Sequence, residues 1–347
     1  MAVRHLVART AAVIAVACGA SVAPLAAQNP DPQCFARIQG GDACQRAVDL
    51  FSYMTPQLGT LIAGGNATLG QTSVLGGLGH FAIGVRANVT RDFYVPTLDG
   101  QDLDTGPVRH GSFQTDRFPA GFPVLDGALG IFGGVPLGVT RVGGVDALVN
   151  LFYIPEQVLP DGSDDGDLAV RLPSGGYEIG WGVRVGLLGE TPIVPGVSLT
   201  YIRRGLPTLD LELNSLAETT SPGSGIRDSL AIRGLSLRTS SWRIVAGKKL
   251  AILSIAAGYG KDRYSGESTV SYFVADDDGT SVSGSLDFES TTTASNMFVD
   301  VTLNLGGLHL VGEIGRVKRS GVSTYNAFDA PGDGSVGYAA VGIRIGH

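Results

Sequence analysis

Beyond its first thirty residues the chain has no run of about 20 apolar residues, so no membrane-crossing helix is expected in it. Positive charge is not in excess. Lys and Arg number 25 against 32 Asp and Glu, a formal net of -7, which argues against a nucleic-acid partner. Glycine is abundant, at 51 residues, but has no Gly-x-y period, so a collagen-like chain is excluded. The sequence holds no Gly-x-Ser-x-Gly, no His-Glu-x-x-His and no phosphate-binding loop. His5 lies at the amino terminus and His347 is terminal. His80, His110 and His309 show no spacing to a serine or carboxylate that would make a catalytic pair, and no enzymatic activity is expected. Asp161-Gly162-Ser163-Asp164-Asp165-Gly166 begins like a calcium loop, but Leu172 occupies the twelfth position where a bidentate Glu is needed. It reads as a solvated acidic loop, as does Asp276-Asp277-Asp278, and neither a metal nor another cofactor is expected.

Residues 1–27 have the layout of a secretory signal: Arg4 and Arg9, an apolar stretch Ala11 to Ala17, and Leu25-Ala26-Ala27 before Gln28. Cys18 would permit a lipidated start instead, although Ala15-Val16-Ala17 is a poor lead-in for one. Export leaves Cys34 and Cys44, an even pair ten residues apart in an oxidising compartment, which predicts a disulfide. Residues 28–78 do not alternate. A short helix is expected from Gly41-Asp42 to about Met54, followed by a glycine-rich irregular stretch. This segment is expected to lie in the periplasm or to plug a lumen, with one or two extra strands near 59–70 as the alternative.

From Gly79 to His347 the pattern changes to a period of two. In Tyr177 to Leu187, the bulky Tyr177, Ile179, Trp181, Val183, Val185 and Leu187 alternate with Glu178, Gly180, Gly182, Arg184 and Gly186. Ten such segments are legible, separated by connections that alternate short and long. Gly306-Gly307 marks a hairpin turn between two of them. Large apolar residues occupy one face, while the other carries Gly, Ala, Ser and single charges, and lysine is nearly absent. A soluble sandwich would show large residues facing each other and Lys and Glu outside. The expected fold is therefore all-β: a transmembrane antiparallel up-and-down barrel of about ten strands, or twelve if residues 28–78 add two. Its lumen-facing charges are expected to be Arg86, Asp126, Asp146, Glu178, Arg184, Arg243, Asp300, Glu313 and Arg344, with His80 near one rim. Such mixed charges either tune a water-filled pore or interlock and close a narrow barrel. Phe93, Tyr94, Tyr153, Tyr177, Tyr201, Tyr259 and Tyr264 cluster near the ends that join the long loops, as aromatics do at a membrane interface. That places the long loops outside the cell.

In its last strand, where Ala339, Val341, Ile343 and Ile345 alternate with small or polar residues, the chain resembles bacterial outer-membrane β-barrel proteins. The resemblance covers about residues 79–347 at the level of pattern, and His347 stands where those proteins usually have a Phe. It implies insertion into the outer membrane of a Gram-negative-type envelope, reading of the terminal strand by the barrel-assembly machinery, and contact with outer-membrane lipid and lipopolysaccharide. Gly64-Gly65-Asn66-Ala67-Thr68 is similar to the N-terminal hatch of long-chain fatty-acid transporter barrels, which have more strands. The expected function is a porin-like passive channel or transporter for small solutes, hydrophobic ones included. The alternative is a closed structural or surface-interaction barrel acting through its long acidic extracellular loops.

Overall fold

The computed structural model describes residues 29–97, 103–159, 168–213, 228–275 and 279–346. Residues 1–27, expected to be a secretory signal, and the acidic stretches Asp161–Asp167 and Asp276–Asp278 lie outside the described residues. Among the described residues two helices, α1 (Pro32–Phe35) and α2 (Gly41–Ala63), precede fifteen strands. These are β1 (Phe81–Thr97), β2 (Ser112–Phe132), β3 (Val135–Leu137), β4 (Thr140–Val142), β5 (Gly144–Tyr153), β6 (Leu168–Arg171), β7 (Tyr177–Leu188), β8 (Gly196–Gly205), β9 (Leu209–Leu213), β10 (Ser229–Leu250), β11 (Leu253–Ala275), β12 (Ser281–Leu305), β13 (Leu308–Ser320), β14 (Ala327–Phe328) and β15 (Gly334–Gly346).

Ten strands close into a ring in the order β1-β2-β5-β7-β8-β10-β11-β12-β13-β15, all neighbours antiparallel. The seam joins β1 to β15 in register from Ala82 opposite Gly346 to Thr90 opposite Tyr338. At the height shared by all ten strands closure leaves no open edge, which is the condition for a sheet to sit in lipid, where no water can take up unpaired N–H and C=O groups. The fold is a transmembrane antiparallel barrel of ten strands. β3 and β4 form a separate hairpin beyond the short-turn end. β9 and β6 extend the sheet from the upper part of β10, and β14 pairs with β2.

The strands are much longer than the alternation suggests. β10, β11 and β12 run for 22, 23 and 25 residues, whereas crossing a bilayer takes about ten. Much of what reads as loop is therefore barrel wall standing clear of the membrane, and its polarity is reversed. In the lower part of β11, Ile255 and Tyr259 point out and are 47% and 44% exposed, while Ala256 and Asp262 point in. In its upper part Val270, Tyr272 and Val274 point in and are buried, and Glu267, Thr269 and Ser271 point out. The same strand suits lipid outside at one height and water outside at the next.

The lumen is filled. Every residue of α2 is buried against the wall, chiefly β10, β11, β12 and β1. The helix runs past Met54 to Ala63 with Pro56 inside it, and Thr60 Oγ1 donates to the Pro56 carbonyl at 2.8 Å. Residues 59–70 form the end of this helix and an irregular turn, so the alternative of one or two extra strands there is not realised. The segment starts at the long-loop end, where Arg37 donates to Tyr272 Oη at 3.2 Å, and descends to β1 at the other. Cys34 and Cys44 are joined, with Cα atoms 5.4 Å apart, tying α1 to the start of α2. Tyr264 is not an interfacial ring. It points inward, fully buried, and lies against Gly59, where an added Cβ would come within 2.5 Å of the ring. Replacement of Gly59 by Leu is expected to cost roughly 1–3 kcal/mol by overpacking. A cycle with Tyr264→Ala, read by protease resistance of α2, should recover most of that loss.

Candidate functional site

Below α2 the chain turns through residues 64–75, and this turn collects most of the inward charges. Its carbonyls have no helix or strand of their own to pair with, and the wall supplies donors. Arg243 donates from Nε to the Gly65 carbonyl at 2.9 Å and from a terminal nitrogen to Gly64 at 3.0 Å. Arg86 donates to the Asn66 carbonyl at 2.6 Å, Arg344 to Leu69 at 3.0 Å, and Arg204 to Ala63 and Ala67. Asn296 adds a bond to Gly64 at 2.7 Å. Carboxylates take the opposite role: Glu313 accepts from the Asn66 backbone N–H at 2.8 Å and Asp300 from its side-chain amide at 2.7 Å. Asp146 accepts from the Leu75 N–H at 3.1 Å.

Two of these cations, and Arg184, are also paired with acids. Arg86 meets Asp126 at 2.9 Å, Arg243 meets Asp262 at 2.6 Å and Arg184 meets Asp146 at 3.4 Å, all almost fully buried. Among the nine lumen charges expected from sequence, eight come together on the turn or on one another. Glu178 lies apart, half-buried beside Gly205 near the long-loop end of β7. Three members of the network were missed: Arg204, Asp262 and Arg319, which donates to Gln57 Oε1 at 2.6 Å. Each keeps the inward parity of its strand but lies beyond the point where the alternation of bulky residues stops. Gly65 is required here, since a Cβ would sit 2.2 Å from Glu313 Oε1 and from Tyr338 Oη.

Above the turn is an apolar cavity of about 220 Å³ between α2 and the wall. Leu50, Met54 and Leu58, one face of α2 at a spacing of four, form one side. Phe93, Val95 and Pro96 of β1, Phe122 of β2, Val170 of β6, Leu209 and Leu211 of β9, and Ile232 of β10 form the other, with Ile154, Leu159 and Leu206. Every lining residue is apolar. The sequence reads most of these as loop. The signal lay in Leu209, Leu211 and Leu230, Ile232, which alternate inside the stretch taken for a loop. Phe93, expected at the membrane interface, lines this cavity instead.

A latch lies at the long-loop end. Asp49 on α2 accepts from the backbone N–H groups of Tyr325 and Asn326, at 2.9 and 2.8 Å, and from the side chains of Gln45 and Asn326. Burial pushes its carboxyl up to about 6 from 3.8, against the lowering effect of these bonds. Tyr53 and Phe113 stack on Phe328 at 4.1 and 4.8 Å in the same region.

No family model and no curated protein sequence matches the chain. Among solved structures it is similar to the outer membrane protease OmpT from Escherichia coli, at 7% identity over 77% of this chain and 95% of that one, with a TM-score of 0.34. It is similar to the toluene transporter TodX of P. putida, at 10% identity over 79% and 92%, with a TM-score of 0.29. It is also similar to the toluene transporter TbuX of Ralstonia pickettii, at 12% identity over 81% and 91%, with a TM-score of 0.26. At such scores these likenesses carry no weight, and the fold rests on the strand pairing itself.

Two outcomes follow from this geometry. Arg243→Met strands the Asp262 carboxylate and is expected to cost roughly 3–5 kcal/mol. The double change Arg243→Met with Asp262→Leu should recover much of it, measured as the sample-heating temperature at which the folded band is lost on gels. Asp49 binds its proton more tightly when docked, with a value of about 6 against 3.8 free. Docking of α2 therefore strengthens as pH falls through 6 toward 4, by roughly 3 kcal/mol. Hydrogen exchange along α2 at pH 4.5 and 7.5 measures this, and Asp49→Asn should flatten the difference.

Proposed function

We propose that this chain is an outer-membrane barrel that takes up a small apolar solute from the outside, through the cavity between α2 and the wall. The observation that carries this reading is the wholly apolar lining of that cavity, set above the membrane band and roofed by the long-loop end of the barrel. An engineered cavity of about 150 Å³ with such a lining stays dry and binds benzene. A space of about 220 Å³ accommodates a one-ring or two-ring hydrocarbon or a short acyl chain. Localisation to the outer membrane is supported by the exposed apolar band that encircles the lower barrel, with Ile179 62%, Ile314 69% and Val341 63% exposed. A continuous band of this kind on a water-soluble protein would aggregate.

The filled lumen gives the alternative of a barrel closed to ions its support, since buried ion pairs and α2 occupy the space a water-filled pore would need. The two are compatible up to one point: a transporter must release the solute past residues 64–75, and a structural barrel need not. No catalytic role is assigned to any residue in this reading. The terminal strand, β15, is the element proposed to be read by the barrel-assembly machinery.

Naphthalene fluorescence tests the reading. Binding to the purified barrel is expected, and Met54→Trp, which fills the cavity, should abolish it while heat-modifiable gel migration is retained. Planar bilayers should show no steady ion conductance. Naphthalene that neither binds nor enters proteoliposomes would sink the transporter and leave the closed barrel.

A further inference from the structure

The outward face of the barrel changes character at one height, and the change is one-sided. On β8, Tyr201 is followed by Arg203; on β10, Trp242 gives way to Ser240 and Arg238. On β11, Tyr259 is followed by Lys261 and Arg263; on β13, Ile314 by Arg316 and Lys318; on β1, Val89 by Arg91. All seven cations are exposed, and among the described residues none of them is ion-paired. Over the same height β5 and β7 carry Leu151, Tyr153, Tyr177 and Ile179 and no cation. A chain with a net charge of -7 thus holds a continuous basic arc on its outer wall from β8 round to β1.

Strand register brings these groups together. Arg203 and Arg263 flank Ser240, and Lys261 and Lys318 flank Ser295. Each pair is two strands apart, about 10 Å. Arg316 lies beside Gly337, and the pairing of Thr90 with Tyr338 brings Arg91 to the other side of the same glycine. At one end of the arc a cleft of about 210 Å³ opens among Trp181, Arg203 and Arg238, with Glu178 on its inner side. Above the arc the sign reverses: Glu267 faces Glu289 across β11 and β12, and Asp287 follows.

We propose that this arc binds the phosphate groups of an anionic lipid in the outer, loop-side leaflet of the membrane. The proposal rests on the membrane reading above and names the residues that set the lipid preference. The cations stand directly above the lipid-facing apolar band, where long side chains lay their stems on apolar surface and hold their charge at headgroup depth. Aromatic rings lie just beneath them, as at a lipid interface. The carboxylates above would repel an anion placed higher, which confines the phosphate to the arc.

The full barrel in neutral-lipid nanodiscs, doped with bisphosphorylated lipid A or its dephosphorylated form and read by native mass spectrometry, provides the test. The phosphorylated lipid should be retained preferentially. The variant Arg203→Gln, Arg238→Gln, Lys261→Gln, Lys318→Gln should weaken retention by roughly fivefold per cation removed. A control with Arg171→Gln and Arg233→Gln, cations that sit beside Glu212 on the extracellular sheet, should leave it unchanged. Equal retention of the dephosphorylated lipid, an unaltered preference in the fourfold variant, or displacement of the lipid by millimolar inorganic phosphate would overturn the proposal. A chain that stays soluble without detergent and does not enter nanodiscs would overturn the membrane reading itself.

Discussion

The carbonyl groups of residues 63–69 are the constraint on which the inside of this barrel depends. Apart from Thr68, whose carbonyl accepts from the Gln71 N–H, they have no backbone partner in the turn, deep in a space where an unpaired acceptor is costly. Four arginines from four different strands, Arg86, Arg204, Arg243 and Arg344, reach inward to pair with them. Those guanidinium groups are themselves too costly to bury alone, so Asp126 and Asp262 stand beside two of them. The turn makes the wall's charges tolerable and the wall makes the turn's shape possible. Removing either side leaves the other with buried polar groups unpaired.

A second constraint acts along each strand. The wall passes from lipid into water, so the face that must be apolar switches from outside to inside partway up. β11 shows the switch within one strand, with Tyr259 out below it and Tyr272 in above it. Where the inside becomes apolar, α2 presents Leu50, Met54 and Leu58, and the imperfect fit between helix and wall leaves the cavity. Where the outside ceases to be apolar, the exposed arginines and lysines begin. Cavity and basic arc are thus the inner and outer consequences of the same change of solvent.

The barrel could be read from sequence wherever alternation is a local property. The ten strands of the ring, their order and the inward set Arg86, Asp126, Asp146, Arg184, Arg243, Asp300, Glu313 and Arg344 follow from a period of two and from short turns such as Gly306-Gly307. The upper wall was illegible for a physical reason. In water, a strand of Ser, Thr, Glu and Asp with apolar residues on every second position of its inner face resembles a polar loop, as in Ser281 to Glu289. The extent of α2 was hidden by Pro56, a residue that normally ends or kinks a helix.

What the sequence by itself determined is which face each strand residue takes, because a side chain's direction in a strand is fixed by its position in the chain. It also singled out Cys34 and Cys44 as the pair expected to close a disulfide, which the structure forms. What only the tertiary structure decided is which charges meet, since Arg243 and Asp262 are partners through the register of β10 on β11, and which carbonyls they hold. The filling of the lumen was decided there as well. A strand pattern specifies an inner face and leaves open what stands against it; in this protein the occupant is the chain's own N-terminal segment.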